Sequence, residues 1–504
     1  MYEPTEQERL TGEAVNGYLR VISKPNGRAA ARRQVRFAEF RQRVRRHRLS
    51  DLLPALAALA LADNPTAPIL HRSCPPWAIA LAARESILHG NEHRKPGVTA
   101  DDLRQIFNTH NDITEPDLAG EVDVLALVTR AVYEQFPYGE SIFEEVARTH
   151  ALLVDGAAAK RTEVIDDNAW IALLGAPLGQ VVGATFFLQV AANSNAGWFD
   201  HHWLDKEDLQ LIFDKWPRPV IEQRIEDLSC TFTELQVAYA DKPAPPPGFE
   251  RYAYNPLVAR PFVRMPDGRL LAPQPRLILP TVTPARLFYP GKDAFGPAFA
   301  RDLGRLTEWY VGRQLGNISG NARLVPEIRY GKDNLLSIDW FLVLEELVVM
   351  FEVKSARFGL AERAAQPGFE RKSTGLLNQA IAQLERTSQA IEDRRPDFSE
   401  IPHDLPRIGV VVTGEPFYLA NSRFMRDHLR RVDFPTLTAS LREIEQLASL
   451  PGATIEQELV AITSDPERST WSLGNALGKA GPGQRNVILD EAWAAYPWPP
   501  EVRP

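Results

Sequence analysis

The residues best placed to do chemistry lie in one apolar stretch, LLSIDWFLVLEELVVMFEVKSAR (335–357). Two runs rich in branched and aromatic residues flank Glu345 and Glu346, which predicts two strands joined by a two-residue turn. The register set by that turn places Asp339 directly opposite Glu352 on the neighbouring strand. The sequence therefore predicts two carboxylates side by side on a β-hairpin.

A cation is expected beside this carboxylate pair. Lys354 lies two residues beyond Glu352 and so points to the same face of the sheet. The flanking residues on both faces are apolar, which predicts buried strands, and like charges buried side by side are unfavourable unless something neutralises them. A divalent cation with oxygen ligands, including the carbonyl of Val353, would do so. The alternative is a plain ion pair between Lys354 and Glu352 or Asp339.

Two amphipathic helices are predicted on either side of the hairpin. The first, GRLTEWYVGRQLGN (304–317), carries Glu308, which is either another metal ligand or an ordinary solvated carboxylate. The second, GLLNQAIAQLERTSQAI (375–391), carries Gln379 and Gln383 one turn apart on one face. A glutamine there is expected to orient water or a scissile phosphate, or else to be a surface amide.

This order of residues resembles the PD-(D/E)XK nuclease superfamily over about residues 295–420. The elements that carry the resemblance are Glu308, Asp339, Glu352-Val353-Lys354, the glutamine-bearing helix with Gln379, and the strand RIGVVVTGEP (407–416). The residue before Asp339 is Ile338 rather than the proline of the family's name.

The resemblance implies a restriction-endonuclease-like α/β domain with a central mixed sheet flanked by helices. It also implies that Glu308, Asp339 and Glu352 bind Mg²⁺ or Mn²⁺, while Lys354 helps to activate water. The expected activity is metal-dependent hydrolysis of phosphodiester bonds, with DNA as the expected substrate and prokaryotic defence as the expected context. Two alternatives stay open, namely an inactive nuclease fold that binds nucleic acid or a partner, and a nuclease held inactive until a partner arrives.

Charge alone does not identify a nucleic-acid surface. The chain has 57 basic and 65 acidic residues, a net charge of −8, which argues against binding polyanions by bulk charge. Nine arginines between Arg28 and Arg48, with Glu39 as the only acid among them, predict either a phosphate-binding helix or a solvated or subunit-contacting one. A second basic set, from which nucleic-acid contacts are expected, consists of Arg357, Arg363, Arg371, Lys372 and Arg386.

Composition predicts a multidomain globular protein, since 504 residues with 44% hydrophobic content exceed one typical domain. The predicted units are a mostly α-helical region over 1–240, a proline-rich β connector over 241–292, the nuclease-like domain over 293–445, and a weakly patterned C-terminal extension over 446–504 that ends in an irregular YPWPPEVRP. Within the connector, PFVRM and RLLAPQPRLILP read as strands around a turn at residues 266–268.

The predicted location is the cytoplasm, without a membrane segment. The N-terminus lacks the pattern of a secretory signal, and no apolar run approaches the roughly 18 residues of a membrane span. With only Cys74 and Cys230, a disulfide framework or a cysteine zinc cluster is excluded. Nucleic acid is the expected partner, and an activating protein or self-association stays open.

Overall fold

The computed structural model describes residues 15, 35–62, 74–114, 124–139, 141–355, 357, 359–478 and 485–498. Arg28, Arg32 and Arg33 of the N-terminal arginine run therefore lie outside the described residues.

The α-helices described before residue 241 are α1 (Phe37–Val44), α2 (Leu49–Ala60), α3 (Pro76–His89), α4 (Ala100–Asn111), α5 (Val124–Gln135), α6 (Ile142–Thr149), α7 (Asp155–Ala159), α8 (Asp167–Leu174), α9 (Leu178–Ser194), α10 (Gln210–Phe213), α11 (Arg218–Leu228) and α12 (Phe232–Ala240). Those that follow are α13 (Pro284–Phe295), α14 (Pro297–Gly316), α15 (Leu360–Arg363), α16 (Phe369–Glu392), α17 (Arg423–Arg426), α18 (Leu441–Ala448), α19 (Gly452–Ser464), α20 (Leu473–Leu477) and α21 (Val487–Ala495).

The described strands are β1 (Trp198–Phe199), β2 (Ser229–Cys230), β3 (Phe262–Arg264), β4 (Leu270–Leu271), β5 (Arg323–Pro326), β6 (Arg329–Tyr330), β7 (Leu335–Leu336), β8 (Trp340–Val343), β9 (Val348–Lys354), β10 (Arg407–Thr413) and β11 (Thr436–Ser440).

The centre of the C-terminal region is a five-stranded mixed sheet with the strand order β11-β10-β9-β8-β5. β8 pairs antiparallel with both β5 and β9, whereas β10 runs parallel to β9 and to β11. Helices α14 and α16 contact this sheet, and each packs with a different hydrophobic core. The predicted mixed α/β layout of this region is confirmed. The helix predicted over 304–317 coincides with the second half of α14, and the strand predicted over 407–416 contains β10.

The predicted hairpin register is also confirmed. Trp340 pairs with Phe351, and Leu344 N donates a hydrogen bond to Leu347 O at 2.9 Å, so the turn holds two residues. The two sets of side chains on the hairpin enter two separate cores, which explains why both faces are apolar. Phe341 and Met350 pack with α16, whereas Leu342 and Phe351 pack with α14; the two cores further include Leu377, Ile381, Leu306 and Val311.

A β-bulge lies where the sheet continues into a two-stranded ribbon of β6 and β7. Pro326 pairs with Trp340 at the end of the sheet, and Arg329 pairs with Leu336 at the start of the ribbon. Two residues separate these pairs on one strand but three on the other, so the strand that carries Asp339 holds one extra residue. Bulges of this kind redirect side chains and often occur beside active sites.

A second core belongs to the N-terminal region. It is built from α1 to α4 and a small sheet with the strand order β1-β4-β3-β2. β3 and β4 form the predicted hairpin, with Gly268 at φ +86°, a conformation that favours glycine. The strand predicted over RLILP is wrong, because residues 275–277 and 279–282 form short 3₁₀-helices. The prolines there lack the N–H groups that a strand ladder needs.

The chain after about residue 450, whose weak pattern predicted no element, is largely helical. α19, α20 and α21 occupy much of it, and Trp498 is buried where its ring stacks on Trp493 with centroids 4.5 Å apart. Tyr496 is buried too, and its hydroxyl donates a hydrogen bond to Val146 O at 2.7 Å. The segment is ordered by aromatic side chains that pack on distant helices, which local periodicity does not reveal.

The largest core draws on residues from Val146 to Trp498, so hydrophobic packing crosses the predicted boundaries at 240, 292 and 445. No single described helix is long and apolar enough to cross a membrane. The bent pair α8 and α9 would pass that test only when the two helices are taken together, on length and composition.

Candidate active site

The hairpin brings the predicted charged residues together. Asp339 lies beside the first residue of β8, and its Oδ2 accepts a hydrogen bond from Val353 N at 2.6 Å. Glu352 is only 1% exposed, and Lys354 Nζ donates to its Oε1 in an ion pair. The structure thus places Asp339, Glu352, Val353 and Lys354 at one point of the sheet.

One oxygen of Glu352 has no partner. Its Oε2 is buried and forms no hydrogen bond with the described residues. Leaving such an atom unsatisfied costs about 1–3 kcal/mol, and more when the group is charged. This oxygen is therefore available to bind a cation or to accept a hydrogen bond.

The electrostatics also favour an added cation. Burial, and then the charge of Asp339, raise the pKa of Glu352 to about 8, although Lys354 opposes the shift. Burial likewise raises the pKa of Asp339 to about 6, against the hydrogen bond from Val353 N. Both carboxyls bind protons more readily than usual, chiefly because burial disfavours their charged forms.

Glu308 on α14 lies within electrostatic range of this group. Burial, followed by the charges of Asp339 and Glu327, raises the pKa of Glu308 to about 7. The helix is fixed against β8 because Trp340 Nε1 donates a hydrogen bond to Glu308 O at 3.0 Å. Gly312 permits this approach, since a Cβ there would lie 2.1 Å from the Trp340 ring.

Sequence reasoning missed Glu327. This half-buried residue follows β5 and lies across from the bulge that holds Asp339. Its charge raises the pKa of Glu308, of Asp339 and of Glu352, so it lies within electrostatic range of all three. The only local signal was a lone acidic residue at the end of a short apolar run, because its position depends on the pairing of a different strand.

The donor set suits a hard divalent cation. Carboxylate oxygens are the ligands that Mg²⁺ and Mn²⁺ prefer, and the unpartnered Oε2 of Glu352 supplies one. The described residues hold no group of three His, Cys, Asp or Glu side chains already arranged around a metal position. In the arrangement seen here, Lys354 neutralises Glu352, so a cation would have to share or replace that contact.

Of the two glutamines on α16, the structure brings Gln383 to the site region. Gln383 Nε2 donates a hydrogen bond to Ser337 O at 2.8 Å, and Ser337 lies in the bulge two residues before Asp339. Gln379, the residue predicted to act in catalysis, lies on an exposed part of the helix.

The predicted nucleic-acid residues differ in their exposure. The side chain of Arg357 is 11% exposed, with Nη1 2.7 Å from Glu415 Oε1 and the guanidinium 4.4 Å from the ring centre of Phe288. Arg371 and Lys372 are exposed, and Lys372 Nζ lies 3.2 Å from Glu362 Oε1.

Two arginines in the described part of the N-terminal run contact neighbouring helices. Arg41 Nε lies 2.7 Å from Glu85 Oε2 on α3, and Arg43 Nη1 donates to Gln105 Oε1 on α4 at 2.7 Å. These two side chains therefore tie α1 to its neighbours.

Comparison of this chain with protein-family models, with curated proteins and with solved structures gives no match.

Proposed function

We propose that this chain is a metal-dependent nuclease that hydrolyses phosphodiester bonds, with DNA as its substrate. The observation that carries the proposal is the buried Oε2 of Glu352, which has no hydrogen-bond partner among the described residues and lies beside Asp339 and Lys354. The order of these residues on a helix-flanked mixed sheet supports it, since it resembles the PD-(D/E)XK superfamily.

Each side chain would have its own role. Glu308, Asp339 and Glu352 would hold Mg²⁺ or Mn²⁺, which when bound stabilises negative charge on the phosphate and lowers the pKa of a bound water. Lys354 would donate hydrogen bonds to the attacking water or to the scissile phosphate after leaving Glu352. Asp339 is held in place by the hydrogen bond from Val353 N.

A second candidate is a protein that keeps this fold to bind nucleic acid or a partner without cleavage. The ion pair between Lys354 and Glu352 favours it, because the ammonium occupies one carboxylate oxygen. The same contact suits a nuclease that is held inactive until a partner or substrate displaces Lys354. Prokaryotic defence and a cytoplasmic location belong to this proposal as its expected context.

The test is cleavage of supercoiled plasmid in Mg²⁺, Mn²⁺ or EDTA by the wild type and by Glu352→Gln. The matched control is Glu345→Gln, which removes an exposed carboxylate from the turn of the same hairpin. We expect metal-dependent nicking that falls by at least about a hundredfold in Glu352→Gln and is unchanged in Glu345→Gln.

Equal cleavage by Glu352→Gln would show that the site is assigned to the wrong residues. If neither the wild type nor the variants cleave, titration calorimetry with Mn²⁺ distinguishes a gated enzyme from a non-catalytic protein. Metal binding by wild type and Glu345→Gln but not by Glu352→Gln supports a gated enzyme, whereas no binding by any of them supports the non-catalytic protein.

A further inference from the structure

Two arginines share one carboxylate at the carboxyl ends of β9 and β10. Arg357 Nη1 lies 2.7 Å from Glu415 Oε1, and Arg363 Nη2 lies 2.6 Å from Glu415 Oε2. Glu415 is buried, with its side chain 8% exposed, and both of its oxygens accept from guanidinium groups. One negative charge therefore faces two positive charges.

A third arginine adds to this excess. Arg286 is half-buried in the first turn of α13 and forms no ion pair or side-chain hydrogen bond with the described residues. Burial lowers the pKa of Arg286, the charge of Arg363 lowers it further, and Glu415 offsets the shift only in part. Arg357 Nη1 lies 3.4 Å from Ala285 O, which places the start of α13 against the same cluster.

The position of Arg286 is unfavourable for the helix itself. The N-terminus of a helix carries a partial positive charge, so an acidic side chain would stabilise the first turn and an arginine destabilises it. The same partial charge attracts an anion, and α13 is 12 residues long, enough for a developed dipole. Helix and arginines together concentrate positive charge at this place.

This cluster lies next to the proposed catalytic lysine. Thr413 pairs with Lys354 across the parallel strands, and Gly414 N donates a hydrogen bond to Lys354 O at 3.0 Å, so Glu415 follows directly. Ligands of open α/β sheets bind at the carboxyl ends of the strands. The cluster is reachable from solvent, since the side chain of Arg363 is 31% exposed and Tyr289 on α13 is 45% exposed.

We propose that Arg286, Arg357 and Arg363 form a pocket that binds a backbone phosphate of a nucleic-acid strand next to the cleavage site. Guanidinium groups suit a phosphate because their planar N–H groups pair with two of its oxygens. The identity of the strand as substrate rests on the proposed function. Binding of a phosphate by the pocket rests on its own charges and geometry.

The test measures binding of a labelled DNA duplex to the full chain in EDTA, over a range of salt concentrations. Of the three arginines in the cluster, Arg286 is the one without an ion pair to Glu415, and Arg286→Gln removes it. The matched control, Arg104→Gln, removes an exposed arginine from α4. Loss of one phosphate contact lowers the slope of log K against log salt by about one. Relative to the wild type, we expect Arg286→Gln to show this smaller slope and about a tenfold weaker affinity at low salt. Arg104→Gln should match the wild type in both.

An unchanged slope and affinity in Arg286→Gln would overturn the pocket. Arg286→Lys keeps the charge but loses the planar fork, so we expect a retained slope and a weaker affinity. If Arg286→Gln does not fold, as judged by thermal denaturation, an unchanged affinity of Arg286→Lys would overturn the proposal instead.

Inorganic phosphate distinguishes the two sources of the ligand. Calorimetric phosphate binding that Arg286→Gln abolishes, without any change in DNA affinity, would overturn the role in holding a strand. Plasmid cleavage is a separate readout. A protein that cleaves but shows no effect of Arg286→Gln on binding refutes only the pocket. A protein that does not cleave but shows the effect retains the pocket, and the Mn²⁺ titration then decides whether the nuclease is refuted.

Discussion

Glu352 and Glu445 are buried to nearly the same extent but have different surroundings. Glu352 is 1% and Glu445 is 3% exposed. In α18, Glu445 Oε2 accepts from Arg148 Nη2 at 2.6 Å, and its Oε1 accepts from Tyr310 Oη at 2.7 Å. In β9, Glu352 has Lys354 on one oxygen and no described partner on the other.

The comparison shows that burial alone does not mark a functional carboxylate. Burial raises the pKa of Glu445 as well as that of Glu352. The difference lies in the partners. The hydrogen bonds that Glu445 accepts join α18 to α6 and α14, whereas Oε2 of Glu352 accepts no hydrogen bond from the described residues. A buried charge with complete partners supports the fold, and one with incomplete partners is available to a ligand.

The largest expected effect on stability tests this difference directly. Glu445→Gln leaves Arg148 buried with an incomplete ion pair, so we expect the free energy of unfolding to fall by about 3–5 kcal/mol. Glu352→Gln removes a carboxyl whose charged form is unfavourable beside Asp339, and its partner Lys354 is 28% exposed and can turn to solvent, so we expect an equal or higher free energy of unfolding. Urea denaturation of both variants measures this, and a similar loss in Glu352→Gln would show that Glu352 is structural.

A pH series extends the comparison to His110 in α4, a buried group that is kept neutral instead of paired. Burial, then the charge of Arg251, lower the pKa of His110 to about 3. Between pH about 6.5 and 3, His110 is protonated in the unfolded chain but neutral in the folded chain. The free energy of unfolding therefore falls as the pH decreases over this range.

We expect His110 to contribute a slope of at most about 1.4 kcal/mol per pH unit in that range. The difference in unfolding free energy between wild type and His110→Gln, measured by urea denaturation from neutral to acidic pH, isolates this contribution from the other histidines. A difference that does not change with pH would mean that His110 becomes protonated in the folded protein.

The smallest expected effect concerns the glutamines of α16. Gln383→Ala removes the hydrogen bond to the carbonyl of the buried Ser337, so we expect a loss of about 1 kcal/mol by urea denaturation, and several-fold slower plasmid cleavage because the bulge positions Asp339. Gln379→Ala alters an exposed side chain and should change neither. Slower cleavage in Gln379→Ala than in Gln383→Ala would restore Gln379 as the catalytic glutamine.

The sequence predicted the site best where its geometry is local. A two-residue turn sets the register of the hairpin, so Asp339, Glu352 and Lys354 followed from counting along the chain. The helix over 297–316 begins at a glycine with φ +63° followed by proline, and its pattern marks both its start and its buried face.

Features that depend on distant parts of the chain escaped prediction. Glu327 reaches the site because of a one-residue difference in pairing between the sheet and the β6–β7 ribbon, which no single strand encodes. Arg286 lies in a segment whose prolines indicated only a connector. Trp498 lies in the segment YPWPPEVRP, which the sequence predicted to be irregular, yet its ring packs on Phe186 with centroids 4.9 Å apart.

The mixed sheet also has a consequence for the order of folding. β8 and β9 are neighbours in sequence, so their hairpin closes a short loop, whereas the parallel partner β10 becomes available only after α16 has been placed. Local pairs form faster than distant ones, so Asp339 and Glu352 are expected to meet before β10 covers them. Solvent would screen their repulsion at that stage, and the charges would become strongly coupled only as the last strands dock.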